Sequence, residues 1–159
     1  MNNKDRNEVI LNLTCELLAK MNIDVEKAAA EDVVGEDSEE GQVLVEVTVT
    51  NPAGLIGFRG RNLSAVQFIL ALMVKNKIGE WVRILMDVNN YRSEQKSRLE
   101  KMTIGLAEKV VKTGKPLAMA NMSSFERRLC HMVIGGIEGI VSESEGEGEE
   151  RHIVIKPKA

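Results

Sequence analysis

Residues 43–63 restrict the possible folds more than any other stretch. Val43, Val45, Val47 and Val49 alternate with Leu44, Glu46, Thr48 and Thr50, a period of two that puts the valines on one face of a strand. Asn51-Pro52 ends that strand, because the residue before a proline is pushed toward turn geometry and proline gives no N–H to a ladder. Next comes Gly57-Phe58-Arg59-Gly60-Arg61, then an apolar run of Leu63, Val66, Phe68, Ile69, Leu70, Leu72, Met73 and Val74. The run predicts a well-buried helix ending near Lys77-Ile78-Gly79. A chain passing from strand to helix in so few residues must turn sharply, and glycine supplies the freedom to do so. The first N–H groups of a helix have no internal partners and attract anions. With Arg59 and Arg61 beside them, this turn is suited to a phosphodiester backbone. A lone G-x-x-G is common by chance, so its meaning depends on what surrounds it.

On the N-terminal side, Ile10, Leu13, Leu17 and Met21 form the stripe of a helix over residues 5–21. Residues 22–34 predict a short strand, and Gly35 to Gly41 (GEDSEEG) an acidic turn leading to the valine strand. Leu55 and Ile56 read as buried helix residues, and Trp81 to Val88 as another buried strand. Tyr91 to Thr113 is a long helix with a stripe of Leu99, Met102, Leu106 and Val110, stopped by Gly114 and Pro116. A short strand over Pro116 to Ala120 follows. Ser123-Ser124-Phe125-Glu126 has the spacing of a capping box, and the helix behind it runs to about Glu138. Then come Ile140-Val141, an acidic turn SESEGEGEE and a last strand over His152 to Ile155.

The charge distribution adds to this. Residues 1–50 carry 4 Lys/Arg against 12 Asp/Glu, whereas residues 51–134 carry 14 against 6. A basic block inside an acidic chain is the footprint of a polyanion site, although Lys- and Arg-rich solvated helix faces give the same count. At 43% hydrophobic and 28% charged residues the chain is too apolar for disorder. Cys15 and Cys130 are each alone in a helical pattern, which reads as two reduced thiols in a cytosolic protein. The N-terminus has no signal-peptide core, and no apolar run is long enough to insert in a membrane.

Arg127-Arg128-Leu129-Cys130-His131 is the second informative stretch. At about 100° per residue, Arg127 and His131 fall within roughly 40° of each other on a helix. Phe125, Leu129, Met132, Val133 and Ile137 cluster on the opposite face, so the Arg and His are expected to point outward together near the helix start. An Arg fork with an imidazole N–H there makes a phosphate clamp; an ordinary surface pair is the alternative. Other chemistries fit less well. The glycine turn lacks the Lys-Ser/Thr ending of a P-loop. The two histidines have no Cys or carboxylate at ligand spacing, so no metal or other cofactor is expected. Ser123 is explained by capping, which leaves no nucleophile with an orienting base. Aromatic residues make up 3% of the chain, too few for broad base-stacking platforms.

The order helix–strand–strand–(G-x-x-G)–helix–strand resembles a KH domain of the type II arrangement, αββααβ, over residues 1–90. Gly57-Phe58-Arg59-Gly60 matches its loop better than the overlapping Gly54-Leu55-Ile56-Gly57, since it has the basic middle residue usual for the motif. Phe58 departs from the more usual polar residue. Arg127-x-x-x-His131 resembles the signature of an R-three-H domain, here a small α/β unit over residues 91–159. In this order, with MDVNNYR (residues 86–92) at the junction and Ser144-Glu145-Gly146 followed by Arg151, the α+β chain resembles the bacterial Jag family over nearly its whole length. Many Jag proteins begin with a further small domain, which this sequence is expected to lack. The resemblance implies a cytoplasmic, non-enzymatic binder of single-stranded RNA, with single-stranded DNA as the alternative ligand. It also implies a role as RNA chaperone or post-transcriptional regulator, linked to cell-envelope growth or sporulation. A second small KH protein is the partner to be considered. The expected contacts are Gly57, Phe58, Arg59, Gly60 and Arg61 in the first unit, with Leu63, Val66 and Ile69 lining or supporting the groove. In the second they are Arg127 and His131, assisted by Arg128. The competing class is a protein-interaction adaptor, with a His131 phosphoesterase a distant third.

Overall fold

The computed structural model describes residues 2–34 and 41–159. The expected acidic turn before the valine strand falls mostly on residues 35–40 and lies outside the described residues. The chain divides into two compact units, Met1–Arg92 and Ser93–Ala159.

The first unit runs α1 (Asn3–Lys20), β1 (Val25–Val34), β2 (Gly41–Val49), α2 (Ala53–Ile56), a 3-10 turn (Phe58–Gly60), α3 (Arg61–Ile78) and β3 (Ile84–Val88). β2 is the central strand, antiparallel to β1 and parallel to β3. This is the αββααβ order of a KH-like fold. The alternating valines of β2 all face inward, where Val43, Val45, Val47 and Val49 are at most 2% exposed. They meet Ile10 and Leu18 of α1 and Leu63, Val66, Leu70 and Val74 of α3 in one core. Ala28, Ala29 and Ala30 belong to β1 and are half-buried. Ala28 and Ala30 share one face of the strand and pack against the core that α1 completes.

The second unit starts within α4 (Tyr91–Thr113) and continues with β4 (Leu117–Ala118), α5 (Ser124–Gly135), β5 (Ile140–Glu145), a 3-10 turn (Gly148–Glu150) and β6 (His152–Pro157). β6 is central, with β4 and β5 antiparallel on either side. Leu99, Ala107, Val110, Leu129, Cys130, Ile134, Ile153 and Ile155 form its core. The capping box of α5 is complete. Ser123 Oγ accepts the Glu126 N–H at 3.3 Å and Glu126 Oε2 accepts the Ser123 N–H at 2.8 Å. Such a cap is worth about 1 kcal/mol.

Several sequence expectations need correction. In α1 the fully buried row is Ile10, Thr14 and Leu18; Leu13 and Leu17 flank it and Met21 lies outside, 42% exposed. In α4 the buried row is Leu99, Thr103, Ala107 and Val110, with Met102 exposed and Leu106 half-buried. In each case a threonine hydroxyl donates to the carbonyl four residues earlier, Thr14 to Ile10 (2.8 Å) and Thr103 to Leu99 (2.7 Å). With its polar atom satisfied locally, threonine packs as a small apolar residue. α3 is not buried all round: Phe68, Ile69 and Leu72 are exposed, because only one side of the helix faces the sheet. The strand expected from Trp81 begins at Ile84, and Trp81 is 55% exposed with Lys75 Nζ 5.3 Å from its ring centre. α5 stops at Gly135, short of Glu138, where Gly135-Gly136 breaks it. Part of the expected acidic turn is strand, since Ser142 to Glu145 pair with β6. Their alternation keeps both serines half-buried and both glutamates exposed, so the acidic residues face outward where Lys156 bridges Glu143 and Glu145.

Candidate nucleic-acid interface

In the first unit the loop is built by backbone geometry. Gly54 to Gly57 is one turn of helix and its end, closed by the Gly57 N–H donating to the Ala53 carbonyl at 2.9 Å. Gly57 has φ 70° and ψ −175°, and a Cβ there would lie 2.5 Å from Asn62 Cγ. Conformation and space both require glycine. Asn62 sits there because its Nδ2 donates to the Gly54 carbonyl at 2.8 Å, tying the loop across its base. Arg59 (φ 51°, ψ 32°) and Gly60 (φ 77°, ψ 14°) are both left-handed. For Arg59 that conformation costs about 1–2 kcal/mol, strain of the kind found at binding loops. Of the two overlapping G-x-x-G candidates, only Gly57-Phe58-Arg59-Gly60 forms this turn.

The loop delivers the chain into α3 with Gly60 at the cap position and no side-chain cap. Phe58, Arg59 and Arg61 are exposed, and the Arg59 guanidinium lies 5.3 Å from the centre of the Phe58 ring. Two cations and an aromatic face therefore stand at a helix N-terminus of positive dipole. Leu63 and Val66 are buried in the core beneath the loop and act as its support, whereas Ile69 is exposed.

The junction motif Met86 to Arg92 is tied to the end of β2 and to α3. Asn89 Oδ1 accepts the Val49 N–H (2.9 Å) and Nδ2 donates to the Val49 carbonyl (3.0 Å), so its carboxamide acts as one more strand residue beside β2. Arg92 donates through Nε to the Met86 carbonyl (2.8 Å) and through Nη2 to Gln67 Oε1 (3.0 Å). Burial pulls the Arg92 pKa down while the neighbouring Asp87 opposes the shift, and the guanidinium keeps its charge.

In the second unit, α5 and β5 frame an open depression lined by Ser124, Arg127, Arg128, His131, Met132, Ser144 and Arg151. The structure thus gathers the three sequence-selected residues in one place. It also corrects their expected orientation. Arg127 is half-buried and its Nη1 donates to the Met122 carbonyl at 2.8 Å. His131 has both ring nitrogens engaged by β5, Nδ1 with Ser142 Oγ at 2.7 Å and Nε2 with Ser144 Oγ at 3.0 Å. In a neutral imidazole one nitrogen donates and the other accepts, and a serine hydroxyl can do either. The apolar face opposite them is Leu129, Cys130 and Ile134, while Phe125 and Met132 are exposed. α5 is held by a sheet on one side only, which leaves those two large residues outside.

Ser124, Ser144 and Arg151 are not among the contacts expected from the sequence, although Ser144 and Arg151 stand in the string that carries the family resemblance. Arg151 follows a tight turn in which Gly146 (φ 84°) is needed, since a Cβ would come within 2.8 Å of the Glu150 carbonyl oxygen. The S-E-S-E alternation was the available signal, because a period of two puts both serines on one face of a strand. Three arginines around one depression are suited to an anion, and arginine forks match phosphate oxygens. Among the described residues there is no group of His, Cys, Asp and Glu that could hold a metal ion, and no helix is long and apolar enough to cross a membrane.

A KH-like unit followed by a capped helix bearing Arg-x-x-x-His against a serine-bearing strand defines a tandem protein of KH and R-three-H domains. Residues 97–157 match the family of the R-three-H domain. RNA-binding protein KhpB of Bacillus subtilis (strain 168) is 35% identical over 133 residues, 82% of this chain and 64% of that protein. RNA-binding protein KhpB of Clostridium symbiosum is 33% identical over 104 residues, 65% of this chain and 47% of the relative. The Streptococcus pneumoniae serotype 2 protein of the same name is 24% identical over 140 residues, 88% of this chain and 43% of the relative. The chain is thus similar to the RNA-binding proteins of the Jag family, and it spans less than two thirds of the length of these relatives.

Proposed function

We propose that this chain binds single-stranded RNA without catalysing a reaction, and that both units take part. The observation that carries the reading is the pairing of two cationic sites in one chain. The first is an uncapped helix start flanked by Arg59 and Arg61, on a turn whose glycines let a backbone approach. The second is the depression of Arg127, Arg128 and Arg151. The relatives' name, RNA-binding protein, supports the choice of ligand. Gly57, Phe58, Arg59, Gly60 and Arg61 hold the strand in the KH unit, and Arg127, Arg128 and Arg151 take phosphate in the R-three-H domain. His131 acts there through Ser144, which it orients. Such a protein serves as an RNA chaperone or post-transcriptional regulator in the cytoplasm, with cell-envelope growth or sporulation as the processes it affects.

The test is binding of a labelled, unstructured oligoribonucleotide across a salt series, beside a hairpin of equal length. Single-strand preference is expected, with a log–log salt slope that falls by about 0.7 for each phosphate contact removed. Arg59→Ala and Arg127→Ala should each flatten the slope, and the double variant by about the sum. Equal affinity for the duplex would overturn the reading.

One observation favours a second role. Phe68, Ile69 and Leu72 form an exposed apolar face on α3, and such faces are used for protein partners. A second small KH protein is the partner this role would take. RNA-independent capture of that protein, lost in Phe68→Glu, would support it.

A further inference from the structure

Asn89 and Asn90 both take positive φ, 51° and 59°. Two consecutive left-handed residues outside glycine are uncommon, and asparagine tolerates the conformation best. Here they reverse the chain between β3 and α4. The brackets around them are firm: the Asn89 side chain is bonded twice to Val49, and Arg92 is bonded through Nε, Nη2 and its backbone N–H to Met86, Gln67 and Asp87. Between these two anchors stands Tyr91, whose position they set.

Tyr91 lies against the nucleic-acid loop. A Cβ at Gly60 would come within 3.1 Å of Tyr91 Cε1, 3.7 Å of its hydroxyl oxygen and 3.8 Å of Cζ. The ring packs on the core edge, which a phenylalanine would do equally well. The hydroxyl is what packing leaves unexplained. No described residue hydrogen-bonds it, and Tyr91 as a whole is only half-buried. A phenol held beside the cap residue of an anion-binding helix start is a hydrogen-bond donor in search of an acceptor.

We propose that Tyr91 is a nucleic-acid contact of the KH unit: its hydroxyl donates to a phosphate oxygen of the strand held at Gly57–Arg61, while its ring fixes Gly60. This rests on the RNA-binding reading above, and it adds to the loop a residue from beyond the KH sheet.

The chain contains one tyrosine, so 3-fluorotyrosine incorporated into the full chain gives a single 19F resonance at this site. Addition of an unstructured oligoribonucleotide should shift that resonance at the concentrations that saturate binding. Tyr91→Phe should weaken RNA binding about tenfold, the loss of one hydrogen bond to a charged acceptor, with an unchanged melting temperature. Tyr91→Ala should weaken it further and lower the melting temperature, because the ring goes too. If the unsubstituted chain binds RNA while the 19F signal stays in place, or Tyr91→Phe binds as tightly as the parent, the assignment is wrong and the RNA-binding reading stands. If the unsubstituted chain does not bind RNA, both fall together.

Discussion

Replacing His131 with alanine removes two hydrogen bonds between α5 and β5, those to Ser142 (2.7 Å) and Ser144 (3.0 Å). At roughly 0.5–1.5 kcal/mol apiece the loss is about 2 kcal/mol. In a unit of this size each kcal/mol moves the melting midpoint by about 4–8 °C, so a fall of about 8–16 °C is expected in the transition of the R-three-H unit. Arg127→Ala removes one bond, to the Met122 carbonyl, and should cost about half as much. The motif pair is therefore unequal in what it gives the fold: the histidine makes two bonds from helix to strand, the arginine one to the Met122 carbonyl. Calorimetry of the full chain, in which the two units can melt separately, measures the shift. A double-mutant cycle with Ser144→Ala isolates the bond, with an expected coupling of at least about 0.5 kcal/mol. A His131→Ala transition that coincides with the parent's, or a coupling near zero, would refute the reasoning.

Gly57→Asp with Gly60→Asp should abolish KH-side binding and also lower the melting temperature, because Gly57 has no room for a Cβ and both positions have positive φ; unchanged melting would mean the loop rearranges freely. Thiol titration of the native chain should find Cys15 reactive and Cys130 silent, since Cys15 is exposed while burial pushes the Cys130 thiol up; a second reactive thiol without denaturant would contradict the packing. The bridge from Lys156 lowers the Glu145 pKa and, through Glu143 and Glu145, raises that of Lys156. The carboxylate's contribution is present above its unfolded pKa and lost as pH falls through its lower folded value. The lysine's is present below its unfolded pKa and lost as pH rises through its higher folded value. The melting temperature of the R-three-H unit should thus fall at both acid and strongly alkaline pH, more shallowly in Glu145→Gln.

The element order, the glycine turn and the helix cap were legible in the sequence because each has a short-range signature. The β2 valines, the glycine pair of the loop and the Ser123–Glu126 box all act within a few residues. The faces of the helices were less legible. Thr14 and Thr103 are 1% and 0% exposed, and counting them as polar displaced the predicted stripe in both helices. What no local pattern could give is which partner a side chain finds across the fold. His131 reads as a surface group on its own helix, and only the return of β5 brings Ser142 and Ser144 to its ring. Tyr91 likewise stands in the junction string MDVNNYR, and it gains a role only with Gly60 against it.

The placing of β2 between its two neighbours has a consequence for synthesis. β1 and β2 adjoin in sequence, so their ladder can close as soon as both have emerged. β3, the parallel partner, must wait until all of α3 has been made. In that interval the second edge of β2 is open, along a strand reading Val-Leu-Val-Glu-Val-Thr-Val. A segment so rich in β-formers and with one charge is the kind that pairs with another nascent chain. Glu46, exposed in the finished fold, is that charge. A charge there opposes such pairing along an edge that the finished fold no longer has.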